Sequence, residues 1–428
     1  MKMWSGRFRQ PLDPGFERWQ RSFDFDRRLL THELAASSAH ARALANAGIV
    51  SSSELISILQ GLERIAEQAA GSPAFLEDSE AEDVHHFVEK NLVNLIGDTG
   101  YKLHSGRSRN EQIATDLRLY IRVCIDQLRA ELAEFLALLV DRAERSGNTA
   151  MPAYTHLQRA EPVLMSHWLL AYAEMFIRDA DRLADCRKRL NFCPLGSGAV
   201  AGTTPPLDRR GMAIDLGFDA PTFNSIDATS DRDFVLEFVN ALSMIGLHLS
   251  RWAEEMIIFS SREFDFVHLP EAYSTGSSAM PQKKNPDLLE LTRGKAARII
   301  GAATTRMKTV EFNLDRMQEA ARSGFMNAWA AATYLVQRGV PFRLAHEQIG
   351  KAVQLCLEKG CELQDLSVQE LRQLNPLFDE DFYSCLDLAS VLALHDVPGG
   401  TAPAQVRRAI ADAKRRIDFI HEEAHAHA

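Results

Sequence analysis

Apolar residues recur at steps of three and four through long stretches of the chain, which is the spacing of one face of an α-helix. In the first stretch, Ile113, Leu117 and Ile121 begin a pattern that runs without Pro or Gly to Ser146. A helix of this length is far longer than the average helix of a globular domain. Strand patterns are sparse, so we expect a mainly α fold built on long helices. The predicted long helices are 110–145, 162–190, 231–259 and 286–308.

The third predicted helix is apolar around most of its circumference. Between Phe234 and Leu249, apolar residues fall on nearly every face. A helix that is apolar all round is buried all round, and one small domain cannot easily surround so long a helix. We therefore expect a long-helix bundle that completes its core by oligomerisation.

The segments on either side of the long helices are shorter. Residues 1–105 contain short segments with a break at Gly71-Ser72-Pro73, and short amphipathic segments return after Phe325. A chain of 428 residues also exceeds what one hydrophobic core usually fills. The predicted organisation is a small N-terminal helical domain, a central long-helix bundle and a small C-terminal helical domain, over 1–105, 106–324 and 325–428 respectively.

The composition is that of a soluble globular protein, with 46% apolar and 25% charged residues. The formal net charge of −10 disfavours nucleic-acid binding, and no apolar run has the length of a membrane span. The six cysteines form no C-x-x-C pair, which is typical of reduced cytosolic thiols rather than of disulfides or a zinc site. The N-terminus lacks the apolar core of a signal peptide. We therefore expect a soluble, cytoplasmic protein that binds neither nucleic acid nor membranes.

Three polar stretches interrupt the helical pattern and are candidates for chemistry. His104–Asn110 lies just before the first long helix, where free N–H groups and two arginines can bind an anion, although a solvated capping loop has the same residues. His156, between two prolines, can act as an acid or base near neutral pH, although a lone histidine is more often structural. Tyr273–Asp287 is a loop of small residues. A Gly/Ser linker would explain those small residues but not the Met-Pro-x-Lys-Lys-Asn-Pro stretch attached to them.

Two other motifs do not support a site. Gly196-Ser197-Gly198 with Gly202 is rich in glycine, yet no recognisable strand precedes it, so a dinucleotide site is unsupported. His85-His86 has no ligand set nearby in the sequence, and no H-E-x-x-H motif occurs. We therefore expect no metal site.

The loop Met280–Asp287 is the most specific of several stretches that resemble, in one order along the chain, the argininosuccinate lyase family of the fumarase/aspartase superfamily. The resemblance implies a three-domain, mainly α fold whose long-helix bundle is completed by tetramerisation, with active sites assembled from several subunits. It also implies cleavage of argininosuccinate to arginine and fumarate, a step of arginine biosynthesis, without a metal or organic cofactor. The other stretches are Trp4–Phe8, His104–Gln112, Tyr154–Gln158, Asn224–Phe234 and Val397–Pro403.

The resemblance further implies roles for single residues. Ser277 matches the base that removes the Cβ proton, and Lys283 would stabilise the serine oxyanion and hold the carboxylate that accumulates charge. His156 matches the general acid that protonates the departing nitrogen, and Glu290 matches the carboxylate that orients it. The residues assigned to substrate binding are Ser22, Asp26, Ser108, Arg109, Asn110, Thr155, Asn285 and Gln318.

One segment departs from the family pattern. Family members typically carry Tyr-Asn-x-Asp-Leu-Gln-Glu-Asp-Lys after the signature helix, whereas this chain soon reaches Gly324-Phe325. Either Phe312, Gln318 and Ala321 replace the Tyr, Gln and Lys, or the tip of a helical hairpin is absent, and we favour its absence because the chain is shorter than expected.

The absence of this segment could remove one wall of the substrate pocket, which leaves two alternative functions. The protein is then a related lyase acting on another N-succinyl amine, or an inactive tetrameric paralogue. Retention of all four residues of the chemistry argues against the second.

Overall fold

A computed structural model of the chain describes residues 12–77, 80–280, 282–294 and 310–425. The chain forms two compact units, each built from two stretches. The first unit comprises Met1–Asp126 and Leu183–Asn240, and the second comprises Gln127–Arg182 and Ala241–Ala428. The division into three domains at 105 and 324 stays a prediction.

The described residues are mainly α-helical, as predicted from the spacing of apolar positions. Short 3-10 helices lie at Arg27–Leu29, Pro73–Leu76, Gly97–His104, Glu271–Tyr273 and Leu363–Asp365. The α-helices are, in chain order, α1 Pro14–Gln20, α2 Phe23–Asp26, α3 Leu30–Asn46, α4 Ser52–Gly71, α5 Val84–Ile96, α6 Arg109–Arg145, α7 Met165–Leu190, α8 Arg209–Asp215, α9 Ser225–Ser230, α10 Asp233–Phe259, α11 Asp287–Gly294, α12 Leu314–Ala320, α13 Ala328–Gln337, α14 Phe342–Lys359, α15 Val368–Leu374, α16 Phe382–Leu386, α17 Leu388–Ala393 and α18 Pro403–His425.

The first and third predicted long helices are confirmed as α6 and α10. The start of the second was wrong, because α7 begins at Met165 and Pro162 lies in a strand. Proline at this point suits an edge strand as well as a helix start, since both tolerate a missing N–H. The fourth is described only as α11, and its predicted continuation to 308 lies outside the described residues.

The strands within the described residues are short and form two-stranded pairs. The longest pair is an antiparallel hairpin of β1 Ala150–Thr155 and β2 Gln158–Leu164, with Pro152 opposite Pro162. The others are β3 Phe192–Cys193 with β4 Ala220–Pro221 in parallel, and, antiparallel, β5 Val267–His268 with β8 Glu311–Phe312 and β6 Thr275–Gly276 with β7 Lys284–Asn285.

The core of the first unit surrounds α3. Phe23 and Phe87 stack with 4.7 Å between ring centroids, and both are buried in one cluster with Leu44 of α3. Elsewhere along α3, Ala39 belongs to a second cluster with Met212 of α8, where a small side chain lets the two helices approach. α3 is therefore held along its length by buried apolar contacts.

The second unit has aromatic residues at the centre of its packing. Phe135 of α6 meets the edges of Phe176 of α7 and Trp252 of α10, with centroid distances of 5.2 and 5.6 Å. Near the C-terminus, the ring centroids of Phe378, in the loop between α15 and α16, and Phe382 of α16 lie 4.8 Å apart, and both side chains are fully buried. Edge-to-face contacts of this kind add to the free energy of burial.

α10 carries exposed apolar side chains in the single chain. Leu236, Val239 and Leu247 are 70%, 52% and 62% exposed. By length and composition α10 is the one helix among the described residues that could cross a membrane, and only a minor part of it is buried in the single chain. A core helix of a soluble oligomer has the same composition. The single chain therefore does not provide the complete burial that the sequence predicts for this helix.

Candidate active site

The loop that carries Ser277 is held at both of its ends by strand pairing and hydrogen bonds. It lies between β6 and β7, and the backbone N–H and hydroxyl of Thr275 donate to Asp287 Oδ2 at 2.8 and 2.6 Å. The Thr275 hydroxyl holds the pKa of the Asp287 carboxyl below its ordinary value. The predicted ligand Asn285 lies at the same point, with Nδ2 3.5 Å from Thr275 Oγ1. Only the tip of the loop is left without strand pairing, and Pro281 in it lies outside the described residues.

Ser277 lies at the start of that tip and its oxygen accepts from two backbone groups. The N–H groups of Ala279 and Met280 are 3.3 and 3.1 Å from Ser277 Oγ. Two N–H donors aimed at one oxygen stabilise negative charge on it. This arrangement suits a serine that must carry charge as a base.

Lys283 and Glu290 follow the loop within the second unit. The backbone N–H of Lys283 donates to the Met280 carbonyl at 3.0 Å, and its side chain is exposed. Glu290 lies on α11 and is also exposed. Both side chains are therefore accessible to a ligand or to another chain.

His156 projects from the tip of the hairpin β1–β2. His156 and Leu157 are the two turn residues between Thr155 and Gln158, and both have positive φ, 55° and 58°. Turns of this type favour Asn or Gly at such positions, so His and Leu here are strained. Thr155, His156 and Leu157 are exposed. Among the described residues of the single chain, no hydrogen bond joins this tip to the serine loop.

Ser22 and Asp26 meet in the first unit beside the segment before α5. The Ser22 hydroxyl donates to Asp26 Oδ2 at 2.5 Å, and Asp26 Oδ1 accepts from the backbone N–H of Val84 at 3.1 Å. Burial raises the pKa of Asp26. Ser22 and Asp26 are therefore in direct contact with each other.

Arg109 is brought to the same segment. Its Nη1 lies 3.0 Å from Glu82 Oε1 and 3.0 Å from Asp83 Oδ2. Sequence reasoning missed these two carboxylates, although an acidic pair at the start of a helix bearing His85-His86 was a signal. Three predicted binding residues, Ser22, Asp26 and Arg109, thus share one surface around residues 82–84.

Ser108 and Asn110 lie at the N-terminus of α6. The Asn110 N–H is 3.3 Å from Ser108 Oγ, and the Ser108 N–H donates to Glu111 Oε1 at 2.9 Å. This exchange is a form of capping box, in which side chains satisfy the free N–H groups of the first turn. Ser108 is half-buried and Asn110 is exposed.

A buried polar cluster lies in the same unit. Glu33, His85 and Asp116 offer ligand atoms within 4.8 Å of one another, the one such set among the described residues. The structure thus brings to His85 two carboxylates from distant parts of the chain. His85 Nδ1 is 2.8 Å from Glu33, and Arg107 Nη2 is 3.8 Å from the same carboxylate.

The charge of Glu33 in this cluster is compensated by protein groups. Burial would raise the pKa of Glu33, but His85 and Arg107 lower it to about 2. Burial and the Glu33 charge raise the pKa of Asp116. A guanidinium beside an ionised Glu33 supplies, at that carboxylate, the positive charge that a cation would bring.

Gln318 lies apart from the other candidates. It is on α12 and lines a cavity of about 640 Å³ together with Asn148, Arg322 and Asp387. Ala321, which accompanies Gln318 in one of the two alignments, lines the same cavity and is buried.

Two families of known proteins match the chain. One, described as a lyase family, matches residues 6–301, and the other, the argininosuccinate lyase C-terminal family, matches residues 325–393. The argininosuccinate lyase of Koribacter versatilis is 56% identical over 467 positions, with 100% of each chain covered. That of Acidobacterium capsulatum is 54% identical, with 97% of this chain and 95% of the relative covered. Since 467 positions align with a chain of 428 residues, about 40 aligned positions have no residue here.

Solved structures show the same architecture. An EDDS lyase variant with bound fumarate superposes with a TM-score of 0.87 at 25% identity, covering 98% of this chain and 93% of that chain. The 3-carboxy-cis,cis-muconate lactonizing enzyme of Pseudomonas putida has a TM-score of 0.71 at 21% identity, covering 94% of this chain and 100% of that chain. The second likeness concerns the fold alone.

Proposed function

Because the chain belongs to the argininosuccinate lyase family, we propose that it cleaves argininosuccinate into arginine and fumarate. The observation that carries the proposal is the identity to argininosuccinate lyases over the whole of both chains. The two N–H donors at Ser277 Oγ support it independently, because the reaction needs a serine that can bear charge.

The difficult step is removal of the Cβ proton beside a carboxylate. We assign this step to Ser277, whose oxyanion is stabilised by the N–H groups of Ala279 and Met280. Proton removal turns the neighbouring carboxylate into a dianion, so a cation must already face it. Lys283, exposed at the end of the loop, is the residue to which we assign that role.

The departing nitrogen must be protonated as the C–N bond breaks. We assign this proton to His156, which the hairpin turn presents to solvent, and we assign the orientation of its ring to Glu290. These two residues and Ser277 are exposed or half-buried on separate elements of one chain. We propose that they act together in an assembled oligomer, as the family resemblance implies.

Substrate binding is divided between two groups of residues. Thr155 and Asn285 of the second unit and Ser108 to Asn110 of the first are proposed to hold the two carboxylates of the succinyl part. Ser22 and Asp26 are proposed to contact the arginine half, where a carboxylate complements a guanidinium. In the single chain Arg109 is paired with Glu82 and Asp83.

We propose that the active form is a soluble, cytoplasmic homotetramer. Leu236, Val239 and Leu247 of α10 are exposed in the single chain, and burying such residues against other copies is favourable. Small-molecule binding, rather than nucleic acid or membrane binding, follows from the same family assignment.

Fumarate absorbance provides the direct test of the proposed function. The purified protein is expected to release fumarate from argininosuccinate, and Ser277→Ala is expected to lower kcat about 100- to 10,000-fold, the range for loss of a general base. Ser278→Ala, in the next residue of the same loop, is the matched control and should behave as the wild-type protein does. Turnover by Ser277→Ala at the wild-type rate would disprove the base assignment.

The roughly 40 missing aligned positions favour one other candidate, a lyase acting on a different N-succinyl amine. Loss of a pocket wall would change which amine fits while leaving the elimination chemistry in place. Fumarate release from another N-succinyl amine but not from argininosuccinate would establish it. No release from any such compound would indicate an inactive paralogue.

A further inference from the structure

The glycine-rich stretch from Gly196 to Thr203 has no part in the reaction as proposed, yet it surrounds a buried carboxylate. The N–H of Gly198 donates to Glu111 Oε2 at 2.9 Å. Glu111 and Ser197 are both completely buried. The glycine-rich stretch therefore binds one side chain of α6 through its backbone.

The other oxygen of the same carboxylate is also occupied. Glu111 Oε1 accepts from the backbone N–H of Ser108 at 2.9 Å. We propose that Glu111 is a positioning residue. Its carboxylate bridges the segment Ser108–Asn110 and the glycine loop, the name used here for residues 196–203, and so fixes the geometry in which Ser108–Asn110 contact the substrate. The effect of Glu111 on substrate binding rests on the proposed function, whereas the contact of Glu111 with both segments does not depend on that function.

The glycine loop is rigid enough to serve as the fixed side of this bridge. Gly198 has a φ of +60°, and a Cβ there would lie 2.9 Å from the carbonyl oxygen of Gly202. Arg209 holds the loop from another direction, donating to the carbonyl of Leu195 at 3.0 Å and to Thr222 Oγ1 at 2.9 Å. Glycine is needed because a side chain would both strain the backbone and push the loop apart.

A second contact ties the same two segments together. Thr203 Oγ1 donates to the carbonyl of Gly106 at 2.5 Å. Gly106 itself has a φ of +72°, and a Cβ there would lie 2.7 Å from Pro205. The stretch before α6 and the glycine loop thus contact each other on both sides of Ser108.

The bridge requires a carboxylate rather than any polar group. Each oxygen of Glu111 faces an N–H donor, so both must be acceptors. In Glu111→Gln one of the two positions becomes an NH₂ group that opposes a donor and leaves it buried without a partner. Glu111→Asp keeps both acceptors, one methylene closer to the helix, and is the conservative variant.

The experiment compares Glu111→Gln, Glu111→Asp and a control, Glu370→Gln. Glu370 forms a capping box with Ser367 at the start of α15, so the control removes a carboxylate with the same local role in another place. Two readouts are needed: kcat and KM for fumarate release, and hydrogen–deuterium exchange of peptides that contain residues 108–110 and 196–203.

For Glu111→Gln we expect faster exchange in both peptides and a KM for argininosuccinate roughly 10-fold or more above wild type, the effect of one buried unpaired donor. The loss in kcat should be smaller than the rise in KM, and Glu111→Asp should recover part of the affinity. Glu370→Gln should match the wild-type protein in both readouts.

Unchanged exchange in both peptides of Glu111→Gln overturns the bridge. Faster exchange with an unchanged KM and a reduced kcat overturns the positioning role, because it reports general loss of active protein. If the wild-type protein releases no fumarate, the proposed function fails, and the exchange readout still decides whether Glu111 holds the two segments together.

Discussion

The two residues assigned to proton transfer differ in what surrounds them. Ser277 Oγ accepts hydrogen bonds from two backbone N–H groups of its own loop, so the groups that stabilise negative charge on this oxygen come from neighbouring residues in the sequence. His156 is exposed on a turn with a φ of 55°, a conformation that costs about 1–3 kcal/mol for a residue other than glycine. Strain at an exposed histidine is consistent with selection for its position rather than for stability.

The acid role of His156 predicts an uneven loss of function. In His156→Asn, release of the amine should slow about 100- to 10,000-fold, the range for loss of a general acid, because the leaving nitrogen is no longer protonated. Removal of the Cβ proton depends on Ser277 and should persist to a greater extent. The measurement is fumarate release compared with deuterium exchange at Cβ of argininosuccinate in D₂O.

The matched control for that experiment is His268→Asn, which changes an exposed histidine hydrogen bonded to Asp265 within the same unit. It should leave both rates at wild-type values. Equal losses of amine release and of Cβ exchange in His156→Asn would count against the acid assignment.

Sequence motifs point to single residues where a candidate site lies in one contiguous stretch. Ser277, Lys283 and Asn285 were predicted in this way, because all belong to one loop. Glu82 and Asp83 were missed, since their importance follows from ion pairs with Arg109 formed across a long separation in sequence. Pairing of that kind leaves no local pattern.

At the scale of elements, α3 supports the loop that leads into α6. His40 on α3 is buried, and its Nε2–H donates to the carbonyl of Ser105 at 2.9 Å. Burial and the nearby charge of Arg107 lower the pKa of His40 to about 3. The loop before α6 is therefore tied to α3 by a histidine that must stay neutral.

This neutral histidine predicts a pH dependence of stability. Between pH 6.5, its ordinary pKa, and its folded pKa of about 3, the unfolded chain binds a proton that the folded chain does not. The free energy of unfolding should therefore fall as the pH is lowered below 6.5, by about 1.4 kcal/mol per pH unit from this group. In His40→Gln the amide can still donate to Ser105, and the slope should be shallower by that amount in urea denaturation.

His346→Gln is the control, because His346 is exposed on α14. Its denaturation should follow the wild-type pH dependence. A slope in His40→Gln equal to that of the wild-type protein would mean that another group causes the acid sensitivity.

Elements with long periodic patterns were predicted closely, whereas short ones were not. α6 and α10 follow from apolar spacing, because a helix of many turns repeats its signal many times. The hairpin β1–β2 was read as a plain connection and as the start of α7, since prolines fit both. Its turn residues carry no Asn or Gly, so the usual hairpin signal was missing.

At the scale of the whole molecule, the exposed side of α10 predicts assembly. Leu247→Glu places a charge on a surface that we expect other copies of the chain to cover, and burying an unpaired charge is strongly unfavourable. The variant should form smaller species than the wild-type protein by sedimentation equilibrium. It should also lose fumarate release, because the proposed active sites draw residues from several chains.

Ile56→Glu is the matched control, because Ile56 on α4 is 56% exposed and has no role in the proposed assembly. It should retain the wild-type mass and activity. A Leu247→Glu protein of wild-type mass would show that α10 does not form the contact between subunits.

The order of residues along the chain is sufficient to indicate the helical frame, the family and the serine loop, because periodicity and contiguous motifs are local properties. The environment of those residues depends on contacts with parts of the chain that are far away in the sequence. Both the burial of Glu33, His85 and Asp116 and the bridge from Glu111 to Gly198 join segments far apart in sequence. Such contacts arise only when packing removes water and each buried polar group must find a partner, and that requirement acts on the folded chain.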